Sequence, residues 1–282
     1  MRIVAYTPSL LHVWNDFVRS SRNATFLYQR GFMDYHADRF RDASLLLYDD
    51  HNRLIALLPA TVSGSCVSSH AGLTYGGWIL GESKPDVVQM LDGWRLMLDY
   101  YKASGCDTLI YKPVPHIYHR YPAEEDLYAL YRYGAEVDSV LMSSVLDLLN
   151  PLPFNDGARR HLKKAERAGV SVMISEDFAS FWELLSQRLD KRYGVLPVHS
   201  LDEIELLRSR FPENIHLWVV SDDRGEFLAG TVLFLCGGVV KAQYIASNEQ
   251  GRAINAVDYL FSYIIKEAMV SGYRYLDLGP SC

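Results

Sequence analysis

Arg160, Lys163, Lys164 and Arg167 recur at i, i+3, i+4 and i+7 within GARRHLKKAERAGV (157–170). That spacing puts four cations on one helix face. They could hold a nucleotide diphosphate, a tRNA backbone or an acidic substrate, or form a solvated face with Glu166. Arg159 and Arg160, with Lys163 beside them, are the candidate phosphate and substrate contacts. A second candidate anion site lies in Asn248, Gln250, Gly251, Arg252, Ala253 and Ile254, after an apolar strand and ahead of a helix over 256–270. Backbone N–H groups and the helix dipole converge at such a junction. Gly251 would let the backbone approach a phosphate closely, and Arg252 could add charge. The alternative is an ordinary polar turn. Strand 241–247 offers Gln243 and Tyr244, which point to opposite faces if the strand is regular. On the next strand, Asp277 sits between Leu276 and Leu278, a candidate base if it points inward and a plain surface carboxylate if it does not.

Other constellations carry less. Tyr111, Tyr118, Tyr121, Tyr128, Tyr131 and Tyr133 cluster with His116, His119 and Arg120. Aromatics beside polar groups suit sugar or peptide binding, or form a wet-edged core. No third ligand stands at a useful spacing from the two histidines, so no metal is expected. Cys66 and His70 on one strand would share a face but lack an oriented third partner. There is no G-x-S-x-G elbow, no P-loop and no G-x-G-x-x-G.

The elements that must position these groups occur twice. Residues 45–58 (LLLYDDHNRLIALL) and 217–231 (LWVVSDDRGEFLAGT) both read as strand, Asp-Asp turn, strand, with Asp49 set against Asp222 at an offset of 173. Val87, Met90, Leu91, Trp94, Leu98 and Tyr101 follow a helical period, as do Val257, Leu260, Phe261, Ile264, Ile265 and Ala268. Each helix is stopped by Ser-Gly, at 104–105 and 271–272, an offset of 167. An early helix around Trp14 and Phe17 falls opposite one around Phe181 and Leu184 at the same offset, and a strand near Tyr75 falls opposite Tyr244 at 169. The reading is a duplication in an α/β chain with a mixed sheet (α+β), its units spanning 1–150 and 151–282, with the boundary at Asn150-Pro151-Leu152-Pro153. After Pro113 the first unit adds a helix over 124–133 and a strand over 137–148. The second stops at Cys282 without a closing helix and strand.

Composition narrows the function classes. The chain has 282 residues, 49% hydrophobic and 22% charged, which excludes a disordered protein. Residues 1–150 carry 13 basic and 17 acidic side chains, and residues 151–282 carry 15 and 17. Neither half is a basic module built for nucleic acid. Cys66, Cys106, Cys236 and Cys282 form no CxxC, which fits a reducing compartment. The N-terminus lacks the apolar core of a signal peptide, and no apolar run nears the roughly 20 residues of a membrane span. A cytoplasmic location is expected.

The unit order and its duplication resemble the GNAT acyltransferase fold of the Fem-type and related double-GNAT transferases. Segments 157–170, 243–279 and LTYGGWIL (73–80) carry the resemblance, the last read as a strand and glycine pair. Asn-Glu-Gln-Gly-Arg-Ala (248–253) resembles the GNAT pyrophosphate loop, with Asn248 where Gln or Arg is usual. The resemblance implies a tandem GNAT-like fold that transfers an acyl group, acetyl from acetyl-CoA above all, to an amine of a small molecule or a sugar or peptide precursor. It implies a bulged strand supplying an N–H to the carbonyl and a tyrosine, Tyr244, as the acid; Asp277 remains the candidate base on its own residues. Arg159, Arg160, Lys163, Tyr75 and Gln243 would contact substrate. Two other readings stay open: a Fem-type aminoacyl-tRNA-dependent transferase acting on a cell-wall precursor, with tRNA disfavoured by the acidic balance, and a non-catalytic GNAT-like binding protein.

Overall fold

The paired Asp-Asp turns are built alike. Asp49 accepts the backbone N–H groups of His51 (2.9 Å) and Arg53 (2.8 Å). Asp222 accepts those of Arg224 (3.0 Å) and Glu226 (2.8 Å). A short acceptor side chain thus closes each turn on its own backbone. The structure, a computed structural model, describes residues 1–82 and 85–280; Cys282, where the second repeat was expected to stop, lies outside them. The chain divides into two compact units, Met1–Val140 and Leu141–Cys282.

The first unit runs β1 (Arg2–Ala5), α1 (Leu11–Ser20), α2 (Arg30–Met33), β2 (Arg41–Asp42), β3 (Leu45–Tyr48), β4 (Leu54–Leu58), β5 (Thr61–Ser63), β6 (Cys66–Ser68), β7 (Ile79–Leu80), α3 (Val87–Ala103), β8 (Thr108–Ile110) and α4 (Glu125–Arg132). The second runs β9 (Ser143–Asp147), α5 (Asp156–Arg167), β10 (Ser171–Ser175), α6 (Phe178–Tyr193), α7 (Leu201–Arg210), β11 (Ile215–Ser221), β12 (Phe227–Cys236), β13 (Val239–Ser247), α8 (Glu249–Ala253), α9 (Ala256–Val270) and β14 (Tyr275–Pro280). This is a mixed α/β fold with the expected repeat. The next turn of each hairpin also repeats: Ser63 pairs with Cys66 across Gly64 (φ 57°), and Cys236 with Val239 across Gly237 (φ 62°). Each long helix ends on a left-handed glycine, Gly105 (φ 83°) or Gly272 (φ 79°). Each is followed by a strand in parallel register, Cys66–Ser68 beside Thr108–Ile110 and Val239–Lys241 beside Tyr275–Asp277.

The two units use this plan differently. In the first, the strands form two sheets, β1-β3-β4-β7 and β2-β5-β6-β8. Pro59 cannot donate to a ladder, and it separates β4 from β5. The strand expected at 73–80 is confined to Ile79–Leu80, and Tyr75 stands in the loop between β6 and β7. Gly76 there lies so close to Ser69 that a Cβ would come within 1.6 Å of the Ser69 carbonyl oxygen, and Gly77 has φ 80°. In the second unit one sheet runs β10-β11-β12-β13-β14-β9. The strand expected at 137–148 is β9, and it pairs with β14 of the second sheet (Tyr275 opposite Asp147, Asp277 opposite Val145). The compact units therefore part at Val140/Leu141, ahead of the proline pair at 151 and 153. No strand follows β14 among the described residues, and β9 occupies the place beside it.

Helix α9 packs Leu260 and Ile264 on Val240, Ala242 and Leu276. Helix α6 covers the opposite face, where Trp182 meets Tyr244 edge-on with ring centroids 5.1 Å apart.

Candidate active site in the second unit

Strands β13 and β14 pair only through Val239–Lys241 and Tyr275–Asp277, yet β13 runs on to Ser247. Beyond Lys241 the two strands part, and the backbone groups lining the opening have no ladder partner across it. The register of β13 against β12 also slips: Leu233 faces Ala242 while Val232 faces Tyr244. Gln243 is therefore the extra residue of a β-bulge. The bulge has a consequence for the side chains. Residues three apart on a regular strand point to opposite faces, but the inserted residue returns Tyr244 to the face that carries Lys241. Asp277 shares that face, since its neighbour Leu276 packs under α9.

Two buried polar assemblies result. Lys241 and Asp277, each 4% exposed, form an ion pair of 3.6 Å at the last register pair before the opening. Asp277 also accepts the Gly279 N–H at 2.8 Å. Of the two orientations the sequence leaves open for Asp277, the structure has the inward one, with a countercharge that offsets the cost of burying it. Tyr244 is held by His199: the hydroxyl lies 2.5 Å from the imidazole Nδ1 and accepts the His199 backbone N–H at 3.3 Å. The Trp182 indole N–H donates to the His199 carbonyl at 3.0 Å, which fixes the loop that carries the imidazole.

At the end of β13, Asn248 accepts the Gly251 N–H (2.7 Å) and donates to the Phe227 carbonyl (2.8 Å). A Cβ on Gly251 would come within 2.2 Å of the Leu228 carbonyl oxygen. The glycine is required by that close approach to β12, and its N–H is committed to Asn248. Arg252 donates to the Ser247 carbonyl (3.2 Å) and pairs with Glu249 (3.5 Å). Gln250 and Ala253 are exposed, and Ile254 is half-buried. A diphosphate brought here would meet the first turn of α9, whose leading N–H groups have no intrahelical acceptor. That turn follows Asn255 (φ 60°), a residue type that tolerates the left-handed region.

The basic face is where the spacing placed it. Arg159, Arg160, Lys163, Lys164 and Arg167 are exposed on α5, and Ala165 is buried. Arg159 donates to the Phe154 carbonyl (2.8 Å) and pairs with Asp156 (3.6 Å). A cavity of about 350 Å³ lies between α5 and α9. It is walled by Phe154, Leu162, Phe261 and Ile265, with His161 Nδ1 2.5 Å from Asp258 beside it.

In the first unit the corresponding segments stay tied past the last register pair: the Ser69 N–H donates to the Ile110 carbonyl (2.9 Å) and the Lys112 N–H to the Ser69 hydroxyl (2.7 Å). Ser68 and Ile110 stand where the second unit has Lys241 and Asp277. The Tyr111 hydroxyl donates to Asp126 (2.5 Å) and accepts the Trp78 N–H (2.7 Å), and Lys112 donates to the Leu73 carbonyl (2.6 Å). Burial pushes Asp126 up to about 6, raises Tyr111 well above its ordinary value and lowers Lys112. Tyr75, 3% exposed, packs between Tyr28 and Tyr118 with centroids 6.1 and 4.5 Å away. It is in a different unit from Tyr244.

Sequence reasoning missed Lys241 and His199. A lone cation inside the run VVKA was a readable sign of a buried ion pair. His199 stands directly before Ser200, whose capping box with Glu203 opens α7, but its partner is 45 residues away and left no local trace.

Residues 155–281 match the family model described as an acetyltransferase (GNAT) domain. No curated protein matches the sequence. Among solved structures, FemX aligns with a TM-score of 0.70 at 13% identity, covering 100% of this chain and 89% of that one. L-PGS from Bacillus licheniformis aligns at 0.62 and 14%, covering 97% and 76%. A tandem GNAT protein from the clavulanic acid biosynthesis pathway aligns at 0.50 and 10%, covering 99% and 89%. At these identities the likeness is one of fold.

Proposed function

We propose, from the premise that residues 155–281 form a GNAT domain in a chain of duplicated GNAT fold, that the protein transfers an acetyl group from acetyl-CoA to an amine. The observation that carries the proposal is the parting of β13 and β14 past Lys241 and Asp277, beside the bulge at Gln243. An opening between parallel strands accepts an extended thioester arm, and backbone N–H groups beyond the end of the β13–β14 ladder polarise the carbonyl. The amine nitrogen bonds to the carbonyl carbon, its proton passes to Asp277, the carbon–sulfur bond breaks, and Tyr244 protonates the departing thiolate. Lys241 keeps Asp277 in place, and His199 orients the Tyr244 hydroxyl. The first turn of α9, with Arg252, takes the diphosphate.

The exposed basic face of α5 supports a second reading, a Fem-type aminoacyl transfer onto a cell-wall precursor, with Arg160 and Lys163 on phosphate. Isothermal titration separates the two. Acetyl-CoA and CoA should each bind the wild type, and the Arg160→Ala/Lys163→Ala variant should bind them equally well. No heat with either ligand overturns the first reading. Binding of a UDP-sugar or tRNA that the double variant abolishes establishes the second. A protein that binds acetyl-CoA without turning over any amine is a GNAT-like binding protein.

A further inference from the structure

Helices α5 and α9 pack against each other, and their facing sides share one spacing. Ala158, His161, Leu162 and Ala165 fall at i, i+3, i+4 and i+7 on α5; Asp258, Phe261, Ser262 and Ile265 do so on α9. Small side chains stand at 158 and 262, where close packing of two helices would call for bulk. The cavity of about 350 Å³ is the space left over. Its walls are the apolar side chains of Phe154, Leu162, Phe261 and Ile265, and the last two also pack on the core beneath α9. The volume is more than twice the roughly 150 Å³ that takes benzene in a dry apolar cavity, and it falls in the range of small-molecule sites. Within the cavity the Ser262 hydroxyl is committed to the Tyr259 carbonyl at 2.7 Å. Its polar character comes from the mouth, where His161 and Asp258 are each about half exposed. The imidazole Nδ1 lies 2.5 Å from an Asp258 oxygen. A carboxylate accepts and cannot donate, so the neutral ring carries its proton on Nδ1 and turns Nε2 outward as an acceptor. The pair also keeps a negative charge at the mouth, which repels an anion.

We propose that the α5–α9 cavity is a second ligand site, and that it takes a neutral aromatic molecule with one O–H or N–H donor, a phenol or an indole. The ring covers the apolar walls, where Phe154 and Phe261 offer it aromatic contacts that an alkyl chain lacks. The donor reaches His161 Nε2 at the mouth. Among the described residues the lining comes from α5, the segment just ahead of it and α9, with none from β13 or β14. The site is therefore distinct from the opening between those strands and does not depend on acyl transfer.

Fluorine NMR of the full chain with 4-fluorophenol, 5-fluoroindole, fluorobenzene and 4-fluorobenzoate tests this. The phenol and the indole should bind, fluorobenzene about 10-fold more weakly for want of one hydrogen bond, and the benzoate more weakly still. Methyl NMR of leucine- and isoleucine-labelled protein should show Leu162 and Ile265 moving with 4-fluorophenol. His161→Phe, at a half-exposed position, should weaken 4-fluorophenol about 10-fold and leave fluorobenzene unchanged, whereas a collapsed cavity would lose both. Methyls that stay still with every probe would overturn the proposal, as would 4-fluorobenzoate binding as tightly as 4-fluorophenol. Asp258 stands on the first turn of α9, the turn given above to the diphosphate, so CoA is added as a competitor. Displacement of 4-fluorophenol by CoA would assign the cavity to the donor and overturn a separate site. A chain that binds the phenol but neither CoA nor acetyl-CoA would sink acyl transfer and leave the cavity assignment standing.

Discussion

Burial holds His70 down to about 3, with His36, Arg30 and Lys112 adding repulsion, and pushes Asp126 up to about 6. Their pH effects have opposite signs. Between 6.5 and about 3 the unfolded chain binds a proton at residue 70 that the folded chain refuses, so stability falls as pH falls. Between about 6 and 3.8 the folded chain keeps a proton on Asp126 that the unfolded chain has lost, so stability rises as pH falls. At about 1.4 kcal/mol per unit the two effects are each about 3 kcal/mol between pH 6.5 and 4 and largely cancel. Asp126→Asn should therefore lose about 3 kcal/mol more than wild type over that range. His70→Asn, which accommodates φ 65°, should gain stability on acidification relative to wild type. Urea denaturation followed by far-UV circular dichroism at pH 4 and 6.5 checks both, and parallel curves for all three proteins would refute the two assignments. In the second unit, Tyr244→Phe keeps the Trp182 contact and removes only the hydroxyl. It should lower kcat by about 10² or more while acetyl-CoA affinity stays unchanged; an unaltered kcat would remove Tyr244 from the acid role.

At the junction of β13 and α8, Gly251→Ala should cost roughly 1–3 kcal/mol, because the new methyl meets the Leu228 carbonyl. Asn248→Ala should cost about 1 kcal/mol or more through loss of the cap. Equilibrium unfolding measures both, and a Gly251→Ala variant as stable as wild type would show that the β12–α8 contact yields readily to a methyl group. Much at this scale was legible in the residues. The Asp49 and Asp222 turns, the Ser-Gly helix stops and the basic face of α5 depend on neighbours in sequence, and each formed where its pattern placed it. What could not be read depends on distant pairing. Nothing local in 73–80 says that Gly76 must lie against Ser69, so a run that looks like a strand is mostly loop. Nothing local marks Gln243 as the bulge, and without the bulge Tyr244 and Lys241 would take opposite faces. A strand over 137–148 is expected from the sequence and forms as Ser143–Asp147, but its partner is set by the β14 edge more than 125 residues later.

At the level of the units, β9 belongs with residues 141–282 although it precedes the proline pair. A fragment of residues 141–282 should fold, whereas one of residues 151–282 would leave the β14 edge bare. The shorter fragment should melt at lower temperature or aggregate, as followed by thermal unfolding and light scattering; equal melting temperatures would show that β9 adds nothing to the sheet. The same arrangement sets a schedule for assembly. Strand β14 lies between β13 and β9, so this part of the sheet cannot close until β14 slides into a slot whose far wall, β9, was synthesised more than 125 residues earlier. Until then two strand edges wait in the open, a non-local step that is slow and prone to wrong partners. The second unit therefore has its period of greatest vulnerability during synthesis, when a chaperone that covers strand edges would change its yield without touching its final stability.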